Sequence, residues 1–226
     1  MHTKKLYTAV FIAALFHVCG AAGILFTQYK QWFIDATPVT LLLMAALAVY
    51  TQKEKKAPFF IFLLLAFAAG MAAEITGVHT GLLFGSYAYT HVLGPDIFGV
   101  PLLIGVNWFT TVYCCGCVTH IFEDWIIRKI DTAGEIPGRM QFFSFVIDAS
   151  LLTVFYDWLL EPAAIKLGFW KWGHEAVPVF NYVCWFFISA ALMTVFRKLN
   201  FNKRNIFALH LLIIQILFFL TIETFL

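Results

Sequence analysis

Charge is what this sequence has least of. Asp, Glu, Lys and Arg make up 12% of its 226 residues, about half the share of a soluble domain, which argues against an ordinary water-facing surface. No basic patch interleaved with aromatics is present, so nucleic acid is excluded as a partner. The formal net charge of +2 points to no other. Histidine boxes are missing as well. The seven histidines (2, 17, 79, 91, 120, 174 and 210) form no HxxxH or HxxHH, which excludes iron held as in membrane desaturases and hydroxylases. No DxxxD motif occurs, against a magnesium-diphosphate site of the membrane prenyltransferase kind. The last apolar segment has no lysine for a retinal Schiff base, and no GxSxG elbow appears. Of five cysteines, Cys114 and Cys117 make one CxxC inside an apolar run. No second ligand pair accompanies it, so packing thiols explain it better than a metal or redox centre. No metal, nucleotide or other cofactor is expected.

What is present is apolar length. Hydrophobic residues make up 62% of the chain, and they arrive in blocks of about 20, the length that crosses a roughly 30 Å hydrocarbon core at 1.5 Å per residue. Backbone groups in lipid must bond internally, and these runs are too continuous for barrel strands, so helices follow. The expected spans are about 6–27, 32–51, 57–76, 98–122, 140–165, 179–197 and 205–226. Lys4 and Lys5 give the first block a signal-like flank. No small-x-small cleavage site precedes a soluble domain, and the block is taken as a span. The cluster 52–56 with Pro58 behind it, the stretch 131–138 and the stretch 197–204 punctuate the rest. The fold class expected is all-α: one membrane-embedded polytopic helical bundle over residues 1–226, of about seven transmembrane helices.

Seven spans put Lys4, Lys5, Lys53, Lys55, Lys56, Arg128, Lys129, Arg139, Arg197, Lys198, Lys203 and Arg204 on one side. Only Lys30, Lys166 and Lys171 fall on the other. Twelve against three predicts a cytoplasmic N-terminus in a multi-pass cell-membrane protein, with the lipid bilayer as its first partner. Two connections on the far side, 77–98 and 166–179, are too aromatic for solvated loops. They are expected to lie at the interface or fold back into the bundle.

Carboxylates inside spans are the candidates for chemistry. Each costs about 2.5–3.5 kcal/mol at mid-bilayer on insertion scales, so a functional use is the default. Asp157 and Glu161 are one helical turn apart and share a face. Glu74 falls in the same outer half, as does Asn181, while Asn107 lies near mid-depth. Asp148 points elsewhere and deeper, which suits a structural role, and Glu223 sits near the last span's end. The plainer use of any one of these acids is a helix cap or an interhelical hydrogen bond. As a set at one depth they point to a pocket. Tyr87, Tyr89, Trp108, Trp170, Trp172 and Trp185 could each be a belt anchor; clustered beside the acids, they could instead line a path for substrate. Gly77, Gly81 and Gly85, if helical, form a small-residue ridge.

Two strings carry a family resemblance. The first is Glu74, Gly77, Gly81, Phe84-Gly85, Tyr87, Tyr89, Leu93-Gly94-Pro95 and Val100-Pro101. The second is Asp157, Glu161-Pro162, Gly168, Trp170, Trp172, Val177-Pro178, Asn181 and Trp185. Together they resemble the membrane hydratases of carotenoid biosynthesis, bacterial carotenoid 1',2'-hydratases and archaeal bisanhydrobacterioruberin hydratases, in blocks at about 74–101 and 157–185. Glu161-Pro162 departs from the family's Asp-Pro by one methylene. The resemblance implies cofactor-independent hydration of an acyclic, lycopene-like end group to a tertiary alcohol, with an acyclic carotenoid and water as substrates and other pathway enzymes as neighbours.

The residues suit that chemistry. An alkene is a poor base, so an acid must be held against carbon, and the resulting cation needs aromatic faces and carboxylates around it. Glu74, Asp157, Glu161 and Asn181 are the catalytic candidates, with Asp157 or Glu74 as acid and the others holding water. Tyr87, Tyr89, Asn107, Trp108, Trp170, Trp172 and Trp185 are the substrate-binding candidates. Two other classes compete: a small proton-coupled transporter, and a noncatalytic carotenoid-binding membrane subunit. A transporter needs polar groups across both leaflets, and the inner half offers little beyond Asp148 and His210.

Overall fold

The structure is a computed structural model that describes residues 2–130, 137–174 and 176–226. The linker expected between the fourth and fifth spans, 131–136, lies outside the described residues. Eight α-helices are described: α1 (His2–Phe26), α2 (Lys30–Asp35), α3 (Thr37–Thr51), α4 (Ala57–Thr80), α5 (Leu102–Ile130), α6 (Gly138–Lys166), α7 (Val179–Lys198) and α8 (Ile206–Phe225). Taking α2 and α3 together, seven helical stretches are long and apolar enough to cross a membrane. The chain is a multi-pass membrane protein. The second span is not one helix as expected. It breaks at Ala36, because Pro38 in the first turn of α3 has no N–H to continue the ladder.

Prolines also set other starts. Pro58 opens α4, Pro137 precedes α6 and Pro178 precedes α7. α6 runs on through Pro162. Asn205 caps α8 by accepting from the Phe207 N–H at 3.1 Å, and its amide donates to the Tyr113 hydroxyl at 2.9 Å. Tyr113 in turn donates to Gln52 Oε1 at 2.7 Å, so one buried network ties α3, α5 and α8 together at one end of the bundle. The central helix is α5: 78% of its apolar stretch is buried, against 28–50% in the other six. Every other spanning helix except α1 packs directly on it.

The connection between α4 and α5 takes part in two short ribbons. The expected fourth span begins at Leu102 rather than 98. Its first residues belong to a hairpin of β2 (Asp96–Ile97) and β3 (Val100–Pro101). Phe98 (φ 53°) and Gly99 (φ 75°) make the two-residue turn, and both positive φ values match the twist of the paired strands. The second ribbon pairs β1 (Tyr87–Tyr89) antiparallel to β4 (Trp170–Trp172), with Tyr87 opposite Trp172 and Tyr89 opposite Trp170. Alternate residues share a face, so all four rings lie on one side of the ribbon, with Ala88 and Lys171 on the other. The two aromatic connections thus fold back together over one end of the bundle.

The expected ridge of Gly77, Gly81 and Gly85 does not form. α4 stops at Thr80 because Gly81 turns left-handed (φ 64°) and returns its N–H to the Gly77 carbonyl at 2.8 Å. Gly85, at φ 118°, already belongs to the connection.

Candidate active site

Under the ribbon α4, α5, α6 and α7 enclose a small cavity. Its lining includes all four catalytic candidates, Glu74, Asp157, Glu161 and Asn181, and all seven substrate-binding candidates. Three further members were not among the site candidates: Phe84, in a positive-φ backbone (66°), Ile104 and Leu160. The cavity measures about 30 Å³, room for one or two waters.

Glu74 has its carboxylate filled by three donors. The Tyr87 and Tyr89 hydroxyls donate to Oε2 at 2.5 and 2.7 Å, and the Trp108 indole N–H donates to Oε1 at 2.9 Å. Burial and the Glu74 carboxylate push both phenols well above their ordinary range, so both remain donors. Two glycines on α4 make the arrangement possible. A Cβ at Gly70 would lie 2.3 Å from the Trp108 ring, and one at Gly77 would lie 2.8 Å from the Tyr87 hydroxyl. Each glycine sits about one turn from Glu74, and each lets a donor cross the helix. Gly77 was visible as part of a pattern. Gly70 was missed, since a single glycine in an apolar run carries no local signal.

Glu161 is held by the opposite strand. The Trp170 and Trp172 indoles both donate to its Oε2, at 3.0 and 2.9 Å. Thus β1 serves Glu74 with hydroxyls, and β4 serves Glu161 with indoles. Among the described residues Asp157, one turn below Glu161, receives a single side-chain donor, the Asn181 amide on α7 at 2.8 Å to Oδ2. All three acids and Asn181 are buried. Trp108 and Trp185 stack face to face at 3.8 Å and 7°, forming one wall. Asn107 lies on the border with a second, apolar cavity.

None of the three acids has a cationic partner among the described residues. Two acids elsewhere on α5 do find one: Glu123 pairs with Arg197 at 2.9 Å and Asp124 with Arg204 at 3.6 Å, both away from this cavity. Asp148, set apart on sequence grounds, is exposed, accepts from Ser144 at 3.0 Å and lines a different depression. Cys114 and Cys117 are buried free thiols. Among the described residues no group of three His, Cys, Asp or Glu is placed to hold a metal ion.

Fold and site together define a polytopic membrane protein with a carboxylate-lined, aromatic-walled chamber near one membrane face. The chain belongs to the carotenoid biosynthesis protein family, whose profile matches residues 36–226 and so includes every residue of the chamber. It is also 22% identical over 209 residues to the bisanhydrobacterioruberin hydratase of Haloarcula japonica. That match covers 86% of this chain and 66% of the relative, a little under two thirds of its length. No solved structure matches the chain.

Proposed function

We propose that this chain is a carotenoid hydratase of the cell membrane. It adds water across the C1',2' double bond of an acyclic, lycopene-like end group, giving a tertiary alcohol without a cofactor. The observation that carries this function is the set of three buried carboxyl groups held by neutral donors alone. Buried negative charge without a cation calls for a proton or a transient cation, and alkene hydration supplies both in turn.

The donors divide the roles. Asp157, with one donor, has an oxygen left to carry a proton toward the chamber, and it protonates C2'. The electron pair of the double bond forms the new C–H bond and leaves a tertiary cation at C1'. Glu74, with three donors, stays an anion and faces that cation together with the Trp108–Trp185 stack. Glu161 spends one oxygen on two indoles, and its other oxygen accepts from the attacking water. As the C1'–O bond forms, that water's second proton passes to Glu161. Transfer of a proton back to Asp157 one turn away resets the site, so the sum is alkene plus water to alcohol.

Expression in a lycopene-producing bacterium, followed by pigment analysis, tests the function. A 1-hydroxy carotenoid whose oxygen comes from isotopically labelled water is the expected product. Unchanged lycopene beside normal levels of membrane-inserted protein would exclude the activity. The relative's name supports a hydration, and the family supports a place in carotenoid biosynthesis.

A further inference from the structure

The chamber is not an isolated void. A second cavity beside it shares Ile104, Asn107, Leu160 and Trp170 as walls. A third, larger depression on the bundle's flank shares Phe16, Gly20, Phe33 and Thr40 with the second. The third depression opens between α1 and the α2–α3 pair, where Leu15, Trp32 and Val39 are 45%, 66% and 63% exposed on the apolar surface. All three stages lie at one depth. Gly20 is six residues from the end of α1, Glu74 six from the end of α4 and Glu161 five from the end of α6, which puts each about 8–9 Å from the same face at 1.5 Å per residue.

Resting on the hydratase function, we infer that these three cavities are the lateral path by which an acyclic polyene enters from the bilayer and lies while its end group is hydrated. A chain with its end at Asp157 must leave the chamber somewhere. The ribbon covers the water side, and the second cavity is walled mainly by apolar side chains from α1, α3, α5, α6 and α8. The path therefore takes an apolar substrate sideways, parallel to the membrane, and delivers only its tip to the acids. The inner cavities are narrower than a polyene, about 30 and 70 Å³. Passage turns aside the shared side chains, Ile104 and Leu160 at the inner boundary and Phe16 and Phe33 at the outer. Gly20 is the junction. A Cβ there would meet only Phe218, at 3.8 Å, so the space beside it is free for substrate.

Cys19 provides the test, because it lines the mouth and is the one exposed cysteine while the other four are buried. The purified chain in nanodiscs is treated with a membrane-permeant maleimide, with and without lycopene. At about ten times its Kd, mass action leaves about one tenth of the sites free, so modification of Cys19 should slow about tenfold. The hydroxylated product keeps the same chain, so turnover does not empty the path. In V18C/C19A the thiol sits at a neighbouring exposed position outside the path, and its rate should not change. Gly20→Phe fills the junction and should lower polyene retained on purification by about tenfold, while Val18→Phe, on the lipid-facing side, should not.

Equal reactivity of Cys19 with and without lycopene, or equal protection of the V18C/C19A thiol, would overturn the path. The maleimide test uses the native chain, so it stands even if Gly20→Phe fails to fold. Hydration without Cys19 protection removes the path and keeps the chemistry. Protection without hydration keeps the path and removes the chemistry.

Discussion

Gly77 gives Tyr87 its way to Glu74: a Cβ at that position would sit 2.8 Å from the tyrosine hydroxyl and 2.9 Å from the Phe84 ring. Gly77→Ala should therefore push Tyr87 off the carboxylate. A hydrogen bond to a charged group contributes about 1.5–3 kcal/mol, so hydration should fall roughly 10- to 150-fold. Tyr87→Phe should cost a similar amount, and the double variant little more than either, since both remove one contact. Additive losses would mean that Gly77 acts through something other than Tyr87.

Membrane orientation is open to direct measurement. The twelve-to-three distribution of Lys and Arg predicts that a reporter fused after Leu226 reads outside the cytoplasm. One placed in the 198–204 loop should read inside. The chamber, near the ends of α4 and α6, would then face the outer leaflet. Equal signals from the two fusions would rule out this topology.

Chemistry by carboxylates alone predicts indifference to additives. Turnover in detergent should persist with a strong chelator present and with nucleotide and oxygen removed. Loss of activity on chelation, restored by iron, would overturn the acid–base scheme.

How far the sequence reveals this architecture depends on the kind of signal. The spans were legible because hydrocarbon thickness fixes their length, and Pro58 marked one start. The chamber's polar members were legible because a carboxylate within an apolar run is costly enough to stand out. The ribbon was not read as strands, although Tyr-Ala-Tyr and Trp-Lys-Trp both alternate with period two. Three residues per strand are too few to separate from an aromatic belt by pattern alone. The end of α4 was blurred for a similar reason. Gly77 and Gly81 are chemically identical, yet one is helical and the other left-handed, and only the surrounding contacts decide which. Sequence could not rank the acids either, because the ranking lies in donors supplied from β1, β4, α5 and α7.

That ranking is the sharpest expectation for the active site. Asp157 has one donor, Glu161 two and Glu74 three among the described residues, and only the first is assigned the proton given to carbon. Asp157→Asn keeps size and the neighbour at Asn181 but cannot donate to carbon as an acid. Activity should drop by the roughly 10²–10⁴-fold expected when a general acid is lost. Glu74→Gln should also be slow for a different reason. An amide there would set its NH₂ against donors, so the ribbon tyrosines should loosen, and Tyr87→Phe in that background should recover part of the loss. No such recovery is expected for Asp157→Asn. Asp148→Asn, exposed and outside the chamber, should stay within about twofold of the parent, the small effect usual for surface substitutions. Each variant is first measured for membrane level, because failed insertion imitates catalytic loss. Near-normal turnover in Asp157→Asn together with a dead Asp148→Asn would place the proton donor in the wrong half of the molecule.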